Sequence, residues 1–169
     1  MRAIVVVVEL YLLRHGIAEE ASAHRADAQR ALTAEGRKRL MGILRSAAAA
    51  GVKPSLVLTS PHRRAVETAE VAAEALGYRG ELLRTKSLLP GSTPQDVWEE
   101  VRAHRGAESL LLSGHEPLLS ASAAFLLGAP NVAIEFKKGS LARIDLERFP
   151  AEPHGTLRWL LAPKMAAKG

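Results

Sequence analysis

Apolar and polar positions follow one another in blocks, and the period within each block indicates an element. Residues 3–13 are apolar apart from Glu9 and rich in valine, the pattern of a strand buried on both faces of a sheet, and the run stops at Arg14. A polar loop follows from His15 to Ala31. Thr33 is placed to cap a helix in which Leu40, Ile43, Leu44 and Ala47 return on one face before a stop near Gly51. Ser55 to Thr59 predicts a short buried strand, and Ser60-Pro61 reads as an N-cap with proline at the first helical position, opening a helix to Gly77. Leu82-Leu83 predicts a brief strand before the Pro90-Gly91 turn, and Thr93-Pro94 repeats the cap-then-proline signal for a helix through Val101. Ser109 to Ser113 is another apolar strand, and after Gly114-His115-Glu116-Pro117 a helix runs to about Gly128. In the tail, Val132 to Phe136, Leu141 to Leu146 and Leu157 to Leu161 predict closing strands. Strands alternating with helices predict an α/β fold, a three-layer α/β/α sandwich with a mostly parallel central sheet.

Composition narrows this picture. The 169 residues contain no linker, repeat or low-complexity block, so one domain over 1–169 is expected, with residues 1–8 read as an N-terminal extension of the first strand. An apolar share of 47% with mixed charge excludes a disordered chain, and the absence of cysteine excludes disulfides and thiolate zinc sites. The first apolar run falls short of the ~20 residues of a spanning helix, and Glu9 and Arg14-His15 spoil it as a secretory signal. A cytoplasmic protein with no membrane partner is therefore expected. The balance of 23 basic against 18 acidic residues suits an anionic ligand. Few aromatics and a single lysine pair, Lys137-Lys138, leave no stacking surface or basic stripe for nucleic acid.

Three polar clusters each follow a buried strand: Arg14-His15-Gly16, then Ser60-Pro61-His62-Arg63-Arg64, then Ser113-Gly114-His115-Glu116-Pro117. Ligands of open α/β sheets bind at the carboxyl ends of strands, where helix N-termini favour anions. If the three strands are neighbours, two histidines and two or three arginines converge on one mouth, an assembly for a tetrahedral oxyanion. Arginine suits that ligand through its planar, always-charged fork. Neutral imidazole within such a nest is a nucleophile at phosphorus, and the surrounding charge stabilises the transferring group. Gly16 would leave room for the ligand beside that nucleophile. His24, His62, His104 and His154 carry no such context and read as surface residues, and no residue spacing suggests a metal site.

Taken together, Leu12-Leu13-Arg14-His15-Gly16, Leu32-Thr33-Ala34-Glu35-Gly36, Thr59-Ser60-Pro61-His62-Arg63-Arg64-Ala65 with Glu67-Thr68-Ala69, Leu89-Pro90-Gly91 and Ser113-Gly114-His115-Glu116-Pro117 resemble the histidine phosphatase (phosphoglycerate mutase-like) superfamily. The chain is most similar to the short SixA-type branch of phosphohistidine phosphatases. The resemblance implies that His15 is the nucleophile, that Arg14 and Arg64 bind phosphate and that His115 is the second histidine of the pocket. It also implies a reaction with no metal or organic cofactor. Many members carry a glutamate as proton donor ahead of the loop after the third strand. Here Ser87 stands in that place, with no carboxylate between Arg84 and Asp96. An alkoxide leaving group needs such help more than a phosphoramidate does, so phosphohistidine on a protein is the expected substrate. The alternatives are a phosphomonoesterase for a small phosphorylated metabolite, with Glu116 or Glu19-Glu20 giving the proton, and a catalytically idle phosphate-binding module.

Overall fold

A computed structural model describes residues 6–166. Among them six strands form one sheet: β1 (Val8–Arg14), β2 (Leu56–Thr59), β3 (Leu82–Arg84), β4 (Ser109–Gly114), β5 (Leu141–Leu146) and β6 (Thr156–Leu161). The sheet order is β3-β2-β4-β1-β5-β6, parallel through its first four strands, with β5 antiparallel to both β1 and β6. The helices are α1 (Ala34–Ala49), α2 (Arg63–Leu76), α3 (Pro94–Ala103), α4 (Leu118–Leu126) and a final turn, α5 (Pro163–Ala166). The expected α/β architecture is therefore present.

Strand pleating explains the two-sided sheet. Leu10 and Leu12 of β1 point to one face with Leu58, Leu110 and Leu112, where Val97, Trp98 and Val101 of α3 and Leu119 and Ala123 of α4 cover them. Tyr11 and Leu13 point to the other face with Val57 and Leu111, covered by Leu40, Ile43, Leu44 and Ala47 of α1 and Ala69, Ala72 and Leu76 of α2. The chain steps outward from β1 to β2 and β3, then returns to place β4 between β2 and β1. Right-handed crossovers put α1 and α2 on one face, and the reversed step puts α3 on the other. That reversal creates the switch point at which strand ends open a crevice.

The caps expected at Thr33 and Thr93 are present. Thr33 Oγ1 accepts the Gly36 N–H at 2.9 Å, and Thr93 forms a reciprocal capping box with Asp96. Three expectations are corrected. The segment Val132–Phe136 is not a strand: it pairs with no described strand and instead carries the Phe136 carbonyl to the Arg14 guanidinium, at 2.6 Å. Ser60-Pro61 does not cap α2, because that helix begins at Arg63 with His62 as N-cap, and the Ser60 hydroxyl accepts the His62 N–H at 3.3 Å and lies against the His115 ring. Of the proposed strand extension, residues 1–5 lie outside the described residues; Val6 and Val7 are exposed and stand outside the sheet, so among the described residues of that segment only Val8 belongs to β1.

Candidate active site

Because β2, β4 and β1 are sheet neighbours, Ser60, His115 and Arg14-His15 leave their strands side by side. The parallel ladder continues one step past the strands: His15 N–H donates to Gly114 O at 3.0 Å, and Ser60 N–H to Ser113 O at 3.0 Å. Arg64 enters from the first turn of α2. All four of His15, Arg64, Arg14 and His115 meet at this mouth.

The His15 ring is buried, and its Nδ1–H donates to the Gly16 carbonyl at 2.8 Å. That bond makes Nε2 the acceptor nitrogen, and Arg64 Nε–H donates to it at 3.4 Å. Burial, then the positive charges of Arg64, Arg14 and Lys138, outweigh the Gly16 bond and lower the imidazole pKa to about 4. At neutral pH it is an uncharged base. The His115 ring centroid lies 5.2 Å from that of His15, and burial together with His15, Arg64 and His62 lowers its pKa to about 3. His115 Nε2 is 2.7 Å from Ser60 Oγ, while its Nδ1 is buried and has no partner among the described residues.

The Arg64 side chain is only 6% exposed. Its Nη1 donates to the Asp27 carbonyl at 2.9 Å and its Nη2 to Asp27 Oδ2 at 3.1 Å. Arg14 keeps a buried Nε–H with no partner among the described residues. Buried donors of this kind, beside a second cation, are costly unless an anion takes them. The arrangement can therefore hold a tetrahedral oxyanion against the His15 lone pair.

Two residues of the Glu67-Thr68-Ala69 run tie the 15–33 loop to α2. Thr68 O–H donates to the Arg64 carbonyl at 2.7 Å and its Oγ1 accepts the Gly16 N–H at 3.2 Å, joining α2 to the residue after His15. Glu67 accepts the Leu32 N–H at 2.7 Å and pairs with Arg63 and Arg37, tying the end of the 15–33 loop to α2. The Gly16 N–H donates to Thr68 Oγ1, and a Cβ at this position would meet Leu40 Cδ1 at 2.6 Å. A side chain there would push the Leu40 methyl aside. Gly36 is tighter still, since its Cβ would lie 2.2 Å from the Ile17 carbonyl oxygen.

His62 is not a surface residue. Its side chain is 18% exposed, its ring stands edge-on to His115 at 5.1 Å, and its Nδ1 lies 3.8 Å from Asp27 Oδ2. The strand-end argument that singled out Arg64 applied equally to His62, two residues earlier; Asp27, inside a polar loop, carried no signal. The Ser87 hydroxyl donates to Glu100 Oε2 at 2.9 Å alongside Thr85 at 2.7 Å, so Glu100 is an acceptor there. Glu116 accepts the Ser120 N–H at 2.8 Å, and Glu19 accepts the Ala31 N–H at 3.1 Å and pairs with Arg25. Among the described residues no group of three His, Cys, Asp or Glu side chains is arranged to hold a metal ion, and no helix is long and apolar enough to cross a membrane.

Residues 10–88, which include Arg14, His15 and Arg64, match the Histidine phosphatase superfamily (branch 1). The chain belongs to the histidine phosphatase superfamily. An uncharacterised protein of Picosynechococcus is 30% identical over 166 residues, covering 93% of this chain and 98% of that one. Among solved structures, the protein histidine phosphatase SixA complexed with tungstate superimposes with a TM-score of 0.83 at 25% identity, covering 93% of this chain and 98% of that one. A SixA protein of Agrobacterium tumefaciens gives 0.79 at 23% identity, with 92% and 97% covered. The alpha-ribazole phosphatase of Shigella flexneri gives 0.69 at 19% identity, with 92% and 96% covered. Superfamily membership and the SixA neighbour together support a phosphatase.

Proposed function

We propose that the protein is a metal-independent phosphatase working through a phosphohistidine intermediate on His15, and that it removes phosphate from phosphohistidine on a protein. The observation that carries this reading is the His15 ring itself, neutral and fixed by Gly16 in the tautomer that offers Nε2 beside Arg64. Nε2 attacks phosphorus, the bond to the leaving group breaks, and water then attacks phospho-His15 to release phosphate. Arg14 and Arg64 hold the equatorial oxygens, and His115 Nδ1–H donates to one of them as charge develops. The SixA neighbour was solved with tungstate, a tetrahedral oxyanion of the kind this mouth suits. The place of Ser87, without a carboxylate free to give a proton, favours a leaving group that is easily protonated. The chain is one domain in this reading.

The test compares wild type with His15→Ala on a phosphohistidine protein and on an aryl phosphate, with chelator present. Activity that resists the chelator and is lost in the variant supports the intermediate. Activity surviving in His15→Ala overturns it, and a preference for small phosphate esters over the phosphoprotein moves the substrate to a phosphorylated metabolite.

A further inference from the structure

We propose that His62 is the proton donor to the leaving group and that Asp27 becomes its partner when a phosphoryl group occupies Arg64. The proposal rests on the reading of His15 as nucleophile. His62 stands at the N-cap of α2 and lines a cleft with Asp27, Lys86, Ser87, Leu89 and Pro90, which adjoins the histidine pair through Asp27, the acceptor of Arg64, and through His115, whose ring stands edge-on to His62. Its Nδ1 is buried with no hydrogen-bond partner among the described residues, which leaves Nε2 for the cleft. The carboxylates that could compete are already acceptors: Glu100 for Thr85 and Ser87, Glu116 for Ser120, and Asp27 for Arg30 and Arg64.

The charged and titratable groups around His62 are Asp27 in the loop before α1, Arg64 on α2 and His115 after β4, with Lys86 and Asp96 along the same cleft. Burial and Arg64 lower its pKa while Asp27 raises it. Asp27 Oδ2 accepts from Arg64 Nη2 at 3.1 Å and lies 3.8 Å from His62 Nδ1, beyond hydrogen-bond distance. A phosphoryl group on Arg64 competes for that guanidinium. The displaced carboxylate is then free to accept from His62 Nδ1–H, and both it and the phosphoryl dianion favour imidazolium. His62 thus charges when substrate is present.

The proton balance closes. His15 Nε2 forms the bond to phosphorus as the bond to the leaving atom breaks, and that atom takes the proton from His62 Nε2–H, leaving His62 neutral. In the second half, His62 Nε2 takes a proton from the attacking water as the phosphorus–nitrogen bond breaks, and the electron pair returns to His15. An imidazolium donor is matched in acidity to an imidazole leaving group.

The test uses His62→Gln and Asp27→Asn in the full chain, on p-nitrophenyl phosphate and phenyl phosphate. His62→Gln should lose roughly 10²-fold in kcat on phenyl phosphate, whose poor leaving group needs the proton, and less than about fivefold on the nitrophenyl ester. Equal losses on both overturn the proposal while leaving the His15 intermediate standing; only survival of activity in His15→Ala sinks that. A second readout does not depend on turnover: inorganic phosphate should raise the His62 pKa followed by NMR in wild type, and raise it less in Asp27→Asn. No shift on phosphate binding, or the same shift in both proteins, overturns the proposal.

Discussion

Ser60 Oγ and His115 Nε2 lie 2.7 Å apart, and this contact joins the ends of β2 and β4 across the mouth of the site. With the hydroxyl donating to Nε2, the proton on His115 resides on Nδ1, the nitrogen that is buried and has no partner among the described residues. A serine that sequence reading assigned to a helix cap thus contacts a histidine 55 positions away, and the direction of that hydrogen bond goes with the tautomer of the ring.

Replacing that serine tests the relationship. In Ser60→Ala the fold should persist at a cost of about 1 kcal/mol, with kcat falling about tenfold and KM little changed. Nitrogen-15 shifts of the His115 ring should move from one tautomer toward a mixture. A variant with unchanged shifts and rate shows that the hydroxyl does not govern the ring.

The buried histidines fix the direction of the stability profile. The folded pKa values of His15 and His115, about 4 and about 3, lie below the ordinary value of 6.5, so the unfolded chain binds protons first as pH falls. Their contribution is fully present above pH ~6.5 and is lost on acidification, with a slope of at most ~2.7 kcal/mol per pH unit for two protons between roughly pH 6 and pH 4.5. Urea midpoints measured from pH 7.5 down to pH 4.5 should fall accordingly, and His15→Ala should flatten the curve by about half. A flat wild-type curve would contradict the burial described for the two rings.

Thr68→Val separates positioning from binding. The change removes the acceptor for the Gly16 N–H, leaving a buried donor unpaired at about 1–3 kcal/mol, and removes the extra bond from the hydroxyl to the Arg64 carbonyl, which keeps its helical partner. The rate on an aryl phosphate should drop roughly tenfold because the residue after His15 loses its tether, with protein still folded by circular dichroism. Wild-type kinetics in this variant would show that the tether from α2 to Gly16 does not position His15.

Gly36→Ala probes the packing of α1 under the loop. The added methyl would lie 2.2 Å from the Ile17 carbonyl oxygen, a backbone atom that cannot turn aside. Overpacking of this kind should cost about 1–3 kcal/mol, read as a lower urea midpoint. The neighbouring substitution Gly42→Ala is the control, since nothing lies within 4 Å of a Cβ there, and it should leave stability equal or slightly raised. Equal behaviour of the two variants would rule out the close approach.

Much of this was written in local pattern. The unbroken apolar run at β1 had to be a strand covered on both faces, and Leu40, Ile43, Leu44 and Ala47 recur with a helix's period because each lies against the sheet. Arg14, His15, Arg64 and His115 were legible because each follows a strand or opens a helix, where ligands collect. Sheet order alone made them one site, since only the return of β4 between β2 and β1 brings the three strand ends together. Side chains with two plausible employments were decided by tertiary contacts. Ser60 could cap a helix or bond a histidine, His62 could face solvent or His115, and Phe136 could continue a strand or lend its carbonyl to Arg14. Asp27 lay in a loop with no period to read. Sequence by itself determined the six strands of the sheet and the four longer helices, because periodicity and capping are local; tertiary structure decided that Val132–Phe136 joins no sheet and which polar groups meet, because hydrogen-bond partners are chosen by proximity in space.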